Sequence, residues 1–179
     1  MTFPTLTAAL ALGALLLDAG PTVAQAQSPD DPTIVAIFDA ANTADMETGA
    51  LAAEKAQTES VREFGKMLAR DHQTVRQQGR DLAAKLKVTP TPPADRSAAD
   101  AHAGAMASLR GKSGLAFDRA FLEHEVAFHA AVIDAVETTL LPAIDNAELR
   151  TLVVKIAPAF EAHRQAAQQL LDKLPATSR

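Results

Sequence analysis

Three of the five histidines, His72, His129 and His163, lie near the middles of three separate stretches that have the apolar periodicity of amphipathic helices. Each falls on or close to the apolar face of its stretch, where a solvated residue does not belong. Burying an unpaired imidazole or carboxylate is costly, so such groups need one another, water or a cation. Because imidazole and carboxylate ligands suit Zn, Fe, Mn, Cu or Ni, the pattern predicts a divalent transition-metal site of unspecified metal.

Carboxylates accompany two of these histidines on the predicted inward faces. Asp71 directly precedes His72, and Glu125 lies one helical turn before His129, a spacing that places one side chain above the other. All these positions lie near the midpoints of their helices, so they can converge on one ion in a bundle core. The predicted metal ligands or orienting groups are Glu47, Asp71, His72, Glu125, His129 and His163.

Glu47 and three further positions, Asp45, His124 and His102, are interpreted separately. Glu47 flanks the apolar stripe of the first helix, and Asp45 lies nearer to the centre of that stripe and could replace it. His124 is expected to pack as an ordinary residue, and His102 is expected to be exposed. An alternative interpretation of the whole set is a structural polar layer that hydrogen-bonds across the bundle and fixes the helix register.

Capping signals and apolar periodicity predict the first two helices. The Asp31-Pro32 pair reads as an N-cap followed by proline at the first helical position, opening a helix over about 33–57. A capping box formed by Ser60 and Glu63 opens the second helix, whose apolar residues recur every three or four positions until Thr89-Pro90.

The last two predicted helices are about as long as the first two. The third runs over about 115–141 and is expected to stop at Pro142, because proline cannot continue a helical hydrogen-bond ladder. Asp145 or Asn146 is expected to cap the fourth helix, whose apolar stripe begins at Leu149. The four long helices therefore supply the faces that carry the candidate ligands.

The connections predict the fold. The first two helices are joined tightly, as are the last two, so each pair should be an antiparallel hairpin. The connection between the pairs contains the proline-rich segment 89–93 and a short helix over 97–110, and it is long enough to return along a helix. We predict an all-α, ferritin-like antiparallel four-helix bundle with a long crossover between helix 2 and helix 3 that contains a short extra helix. A simple up-down-up-down bundle with a decorated loop is the alternative.

The N-terminus predicts export. An apolar run over 6–17, a break at 18–21 and the small-residue site at 24–26 are typical of a signal peptide spanning 1–26. The run is shorter than the roughly 20 residues that span a bilayer. We expect one four-helix-bundle domain over 27–179 in the periplasm, soluble or peripherally associated with the envelope, without a transmembrane span in the mature chain.

Composition limits the possible functions. A net charge of −5 and the lack of Trp and Tyr argue against a nucleic-acid partner. The chain has no cysteine, so it offers neither a disulfide, a thiolate ligand nor a cysteine nucleophile, and it carries no serine motif or cofactor fingerprint. An enzyme is therefore the least supported class. A non-enzymatic envelope interaction or stress-related protein is the alternative to metal binding, with its protein partners and oligomeric state unspecified.

Four motifs resemble a known family. In chain order they are Ala40-Ala41 leading to Glu47, Met67 to Asp71-His72, Phe117-Asp118 with His129, and Pro158 with His163. They resemble the domain of unknown function 4142, a bacterial family whose members are exported, ferritin-like in fold and often labelled outer-membrane proteins. The resemblance covers 34–170, implies a four-helix bundle and favours Glu47 as a site residue, but it implies no established activity.

The same residues argue against a ferritin-like ferroxidase. A di-iron carboxylate site needs a glutamate three positions before a histidine on two helices. Ala69, Val126 and Phe160 occupy those positions before the three histidines. The sequence therefore predicts a mononuclear, histidine-rich site or a purely structural layer.

Overall fold

The structure, a computed structural model, describes residues 28–175, which form five helices and no strand. The predicted signal peptide over 1–26 lies outside the described residues. The prediction of an all-α chain is confirmed, and the helix packing is that of a bundle. The helices are α1 (Asp31–Lys55), α2 (Glu59–Leu86), α3 (Ser97–Arg110), α4 (Gly114–Ala135) and α5 (Ala147–Lys173).

Two apolar clusters fill the core, one towards each end of the long helices. The first includes Phe38 on α1 and Phe160 on α5, and the second includes Leu68 on α2 and Phe117 on α4. Between them, every long helix contributes buried polar side chains. This polar layer consists of Asn42, Asp45, Thr48, His72, Glu125, His129 and His163.

Helices α1 and α2 approach each other closely at two glycines. A Cβ atom on Gly65 would lie 2.7 Å from the carbonyl oxygen of Gly49, and one on Gly49 would lie 2.8 Å from the carbonyl oxygen of Gly65. The backbones therefore touch where neither residue has a side chain. This contact lies between the polar layer and the second apolar cluster, so it helps to fix the face that α1 presents to α2.

We expect Gly65→Ala to lower the free energy of unfolding by about 1–3 kcal/mol, because its methyl group overpacks the contact between α1 and α2. Alanine favours a helix over glycine by about 1 kcal/mol, so the overpacking acts against an intrinsic gain. Gly104→Ala is the matched control, since nothing lies within 4 Å of its added Cβ. Urea denaturation should show opposite signs for the two variants, and stabilisation of both would contradict the close contact.

Two aspartates tie the helical hairpins together at opposite ends. Buried Asp118 on α4 accepts hydrogen bonds from the backbone N–H groups of residues 57 and 58, both 2.8 Å, in the turn between α1 and α2. Asp31 on α1 accepts hydrogen bonds of 3.0 and 2.9 Å from the N–H groups of residues 145 and 146, in the turn before α5. Each hairpin thus supplies a carboxylate that holds the turn of the other.

Two of the predicted caps are wrong. Asp30, not Asp31, caps α1, through a 3.0 Å hydrogen bond from the N–H three residues ahead, while Asp31 holds the turn before α5. The predicted capping box of Ser60 and Glu63 is absent because α2 already begins at Glu59. By contrast, Asn146 caps α5 as expected, since its side chain accepts two backbone hydrogen bonds.

Helix α4 continues past the predicted stop at Pro142. It passes into a π-helical turn (Val136–Leu140) and a final α-helical turn (Leu141–Ala143). In a regular α-helix the proline ring presses on the carbonyl group four residues earlier. The Leu141 N–H instead bonds to the oxygen of residue 136, five residues back, so the widened turn accommodates the proline.

The stretch Gly114–Ala143 is long and apolar enough to cross a membrane, judged by length and composition. It is the one such helix among the described residues. This helix carries buried Glu125 and His129 and packs along α5, and 17% of the residues in its apolar window are buried.

Candidate metal centre

The three inward histidines meet in the polar layer. His72 on α2, His129 on α4 and His163 on α5 are all buried, and their ring centroids lie 5.1–5.8 Å apart. One nitrogen from each ring lies within 4.8 Å of the others. The structure therefore brings together the three residues whose spacing first indicated a site.

The outward nitrogen of His72 is held by an asparagine. His72 Nδ1 lies 2.9 Å from Asn42 Oδ1. The Asn42 amide nitrogen donates to the carbonyl oxygen of Phe38 at 2.8 Å, so its oxygen is the atom that faces the ring. His72 must donate this hydrogen bond through Nδ1, which leaves the lone pair on Nε2.

The other two histidines are oriented in the same way. His129 Nδ1 donates to the backbone carbonyl oxygen of Glu125 at 2.9 Å, and a carbonyl oxygen can only accept. His163 Nε2 donates to Asp71 Oδ2 at 3.2 Å. Each ring thus carries its proton on the outer nitrogen, and hydrogen-bonded partners of this kind orient metal-ligating histidines.

The inner nitrogens converge with one carboxylate. His72 Nε2 lies 3.2 Å from His163 Nδ1 and 3.1 Å from Asp45 Oδ2. His129 Nε2 lies 3.3 Å from the same Asp45 oxygen and has no hydrogen-bond partner among the described residues. The three inner imidazole nitrogens therefore lie close together, and Asp45 borders two of them while also belonging to a second group with Glu125 and His129.

Burial keeps these rings neutral. It lowers the pKa of His72 to about 3, with help from the neighbouring His163 and His129, and that of His129 to about 4. Burial also lowers the pKa of His163, against the opposing effect of Asp71. All three histidines are consequently unprotonated at neutral pH, the state in which imidazole binds metals.

The pKa values of the carboxyl groups beside the histidines are raised. Burial raises the pKa of Asp45 to about 7, so its contacts with the imidazoles are between largely neutral groups below that pH. Burial, together with the charge of Asp45, raises the pKa of Glu125 well above its usual range. Both Glu125 side-chain oxygens lack a hydrogen-bond partner among the described residues, and Asp45, Glu125 and His129 form a second group that could hold an ion.

Two of the predicted carboxylates lie away from the convergence point. Glu47 is half exposed and binds His102 Nε2 of α3 at 2.9 Å, so it points away from the cluster. Asp45, two positions earlier, takes the place considered for Glu47. Asp71 is also half exposed and contacts only the outer nitrogen of His163 in this cluster.

The remaining histidines have distinct environments. His102 was expected to be exposed, but its side chain is mostly buried because it pairs with Glu47 and pins α3 onto α1. His124 packs against Phe128, as expected for an ordinary packing residue. Neither belongs to the groups of possible ligands among the described residues.

Asn42 and Thr48 were not predicted from the sequence. Asn42 orients His72, and Thr48 is buried beside the Glu125 carboxyl group. The sequence spacing indicated that both residues face inward, because they lie on one line with Phe38 and Asp45 at intervals of three or four positions along α1. The prediction of the inward face of α1 followed its apolar residues, so the polar part of the face was overlooked.

The arrangement has the chemistry of a cation site. Buried lone pairs and carboxyl oxygens repel one another unless a proton or a metal ion lies between them. A donor set of three imidazoles and one carboxylate suits Zn, Cu, Fe or Ni. The buried His/His/His and Asp/Glu/His groups could therefore hold an ion.

One family model matches the chain. The model for a domain of unknown function, DUF4142, matches residues 18–170, a range that includes every residue of the polar layer. No curated protein and no solved structure matches.

Proposed function

Because the chain belongs to the DUF4142 family, a domain of unknown function, we propose its activity from the site: the domain binds one divalent transition-metal ion. The ligands are the inner nitrogens of His72, His129 and His163, together with Asp45 Oδ2. The carrying observation is that each outer imidazole N–H has its own acceptor, so every inner lone pair is free for a cation. Glu125 and Asp71 orient or adjust these ligands without being among the four.

We also propose the topology of the bundle and the cellular compartment in which the ion is bound. The α1–α2 and α4–α5 hairpins and the connection over 87–113 suit a ferritin-like antiparallel bundle, with α3 in the crossover. The apolar run and small-residue site over 6–26 favour export to the periplasm. N-terminal sequencing of protein released by osmotic shock should read from near Gln27, and protein retaining Met1 in the cytoplasm would contradict this location.

Elemental analysis of protein purified from the periplasm tests the function directly. We expect close to one transition-metal ion per chain, and a lower melting temperature after removal by a chelator. A ligand at a hundredfold excess over its Kd adds about 2.7 kcal/mol to the free energy of unfolding, so the shift should be easily measured. Metal far below one ion per chain, combined with an unchanged melting temperature, would overturn the proposal.

A structural layer in an envelope interaction or stress-related protein is the second candidate. It is favoured by the cross-helix hydrogen bonds of His72 to Asn42 and of His163 to Asp71, which hold the helix register without an ion. Protonated Asp45 can also donate to an inner nitrogen. In that case a chelator leaves the melting temperature unchanged, and activity resides on the surface.

Metal affinity should depend on pH through one carboxyl group. Below pH 7 the ion must displace the proton of Asp45, whereas the low pKa values of His72 and His129 mean that these rings release none. Affinity should therefore rise about tenfold per pH unit between about pH 5 and pH 7 and then level off.

Calorimetry in buffers of different ionisation enthalpy counts the released protons. We expect about one proton per ion at pH 6 and almost none at pH 8. Asp45→Asn should bind more weakly and without this pH dependence. A release of two or three protons below pH 6.5, as for ordinary exposed histidines, would contradict the assignment.

A further inference from the structure

The buried polar layer offers an ion a second group of ligands, beside the three histidines. Asp45, Glu125 and His129 each place one ligand atom within 4.8 Å of the other two. Glu125 is fully buried, and neither of its side-chain oxygens has a hydrogen-bond partner among the described residues. Because a buried carboxyl group without a partner is costly, a proton or a cation is expected beside it.

The Asp45 carboxyl group borders both groups of ligands. Its Oδ2 lies 3.1 Å from His72 Nε2 and 3.3 Å from His129 Nε2, which places it at the edge of the histidine cluster. Its Oδ1 is buried and has no hydrogen-bond partner among the described residues. An ion could therefore lie on either side of Asp45, at the histidine position between the three imidazoles or at a carboxylate position beside Glu125.

The two positions cannot be occupied at the same time. His129 belongs to both groups of ligands. Its Nδ1 donates to the backbone carbonyl oxygen of Glu125, so the neutral ring has one lone pair, on Nε2. That lone pair binds a single ion, and the expected content is one ion per chain whichever position is filled.

The donor atoms of the two positions suit different ions. Three imidazoles and one carboxylate suit Cu²⁺ or Zn²⁺, whereas oxygen-rich sets suit harder ions such as Mn²⁺. We propose that a hard divalent cation such as Mn²⁺ binds to Asp45, Glu125 and His129, in place of the softer ion held by the three histidines. The inference rests on the proposed function, because the two positions share ligands.

Pulsed electron paramagnetic resonance of the unsubstituted protein tests this inference. Nitrogen couplings count the imidazoles that coordinate a paramagnetic ion. We expect three coordinated imidazoles for Cu²⁺, at the histidine position, and one for Mn²⁺, at the carboxylate position. Three imidazoles on both ions, or no imidazole on Mn²⁺, would overturn the carboxylate position.

Two conservative variants separate the ligand groups. Glu125 belongs only to the carboxylate position and His163 only to the histidine position. Glu125→Gln should weaken Mn²⁺ binding by at least about tenfold and leave Cu²⁺ binding nearly unchanged, because the backbone carbonyl that orients His129 remains. His163→Gln should have the reverse effect. Glu123→Gln, which removes an exposed carboxylate from the same helix, is the control and should change neither affinity.

Displacement tests whether the two positions share a ligand. One equivalent of Cu²⁺, which binds nitrogen and oxygen ligands more tightly than Mn²⁺ does, should release Mn²⁺ from the loaded protein. The released ion is measured by the sharp resonance spectrum of free aqueous Mn²⁺. Mn²⁺ that stays bound beside Cu²⁺ would overturn the proposed exchange of one ion for the other.

The outcomes distinguish this inference from the proposed function. Cu²⁺ bound by three imidazoles, with Mn²⁺ binding that does not respond to Glu125→Gln, overturns the carboxylate position alone. Cu²⁺ that does not bind at the histidines overturns the proposed function and, with it, this inference.

Discussion

A variant carrying His72→Ala and His163→Ala is expected to lose the ion. Losing a single hydrogen-bonded partner of a metal ligand already costs about 10–100-fold in affinity, so removing two of four ligands should cost more than about 1,000-fold. Metal content after gel filtration should fall from about one ion per chain to almost none. The melting temperature should no longer respond to a chelator.

The chain offers a matched control for this variant. Glu47 and His102 form another Glu–His contact between helices, but outside the polar layer. The double variant Glu47→Ala, His102→Ala should keep its metal, and loss of this partly exposed pair should cost at most about 1 kcal/mol. Equal metal loss in both double variants would show that the ion is not held by the buried histidines.

Asp118→Ala is expected to cause the largest loss of stability. Its carboxylate is the acceptor for the part-buried N–H groups of residues 57 and 58, and each hydrogen bond lost here costs about 1–3 kcal/mol. The free energy of unfolding should therefore fall by about 2–6 kcal/mol. Urea denaturation monitored by circular dichroism measures this loss.

Two further variants separate the turn contact from other effects. Asp118→Asn keeps one acceptor oxygen and should lose less stability than Asp118→Ala. Asp134→Ala removes an exposed aspartate from the same helix and should change the free energy of unfolding by less than about 0.5 kcal/mol. Similar losses for the two alanine variants would rule out the proposed role of the turn contact.

Periodicity predicted most of the elements and part of the site. The short helix Ser97–Arg110 has the predicted bounds, and Glu125 and His129 are both buried one turn apart, as their spacing indicated. These features depend on residues close together in the chain. Local sequence therefore sufficed to predict them.

The choice between Glu47 and Asp45 depended on tertiary contacts. Two residues apart on a helix, their side chains point in nearly opposite directions, so the rotation of α1 about its own axis decides which of them faces the core. The contact between Gly49 and Gly65 helps to set that rotation, and it involves a second helix. The resemblance to the family also favoured Glu47, yet its carboxylate pairs with the surface of α3.

The misplaced cap of α1 has a similar physical cause. Asp30 directly precedes α1 and Asp31 is its first residue, so either side chain can accept a hydrogen bond from a free N–H group at the start of the helix. Asp31 is drawn to a turn more than 100 positions away in the chain, at residues 145 and 146. Local helix propensities cannot predict this long-range contact.

We expect the polar layer to divide the metal-free bundle into two units that unfold separately. Each long helix passes from one apolar cluster to the other through buried polar residues, so the metal-free protein should open locally at this level. An ion that joins α1, α2, α4 and α5 would couple both halves. Hydrogen exchange should then show separate protection levels in the two halves without metal and a single level with it.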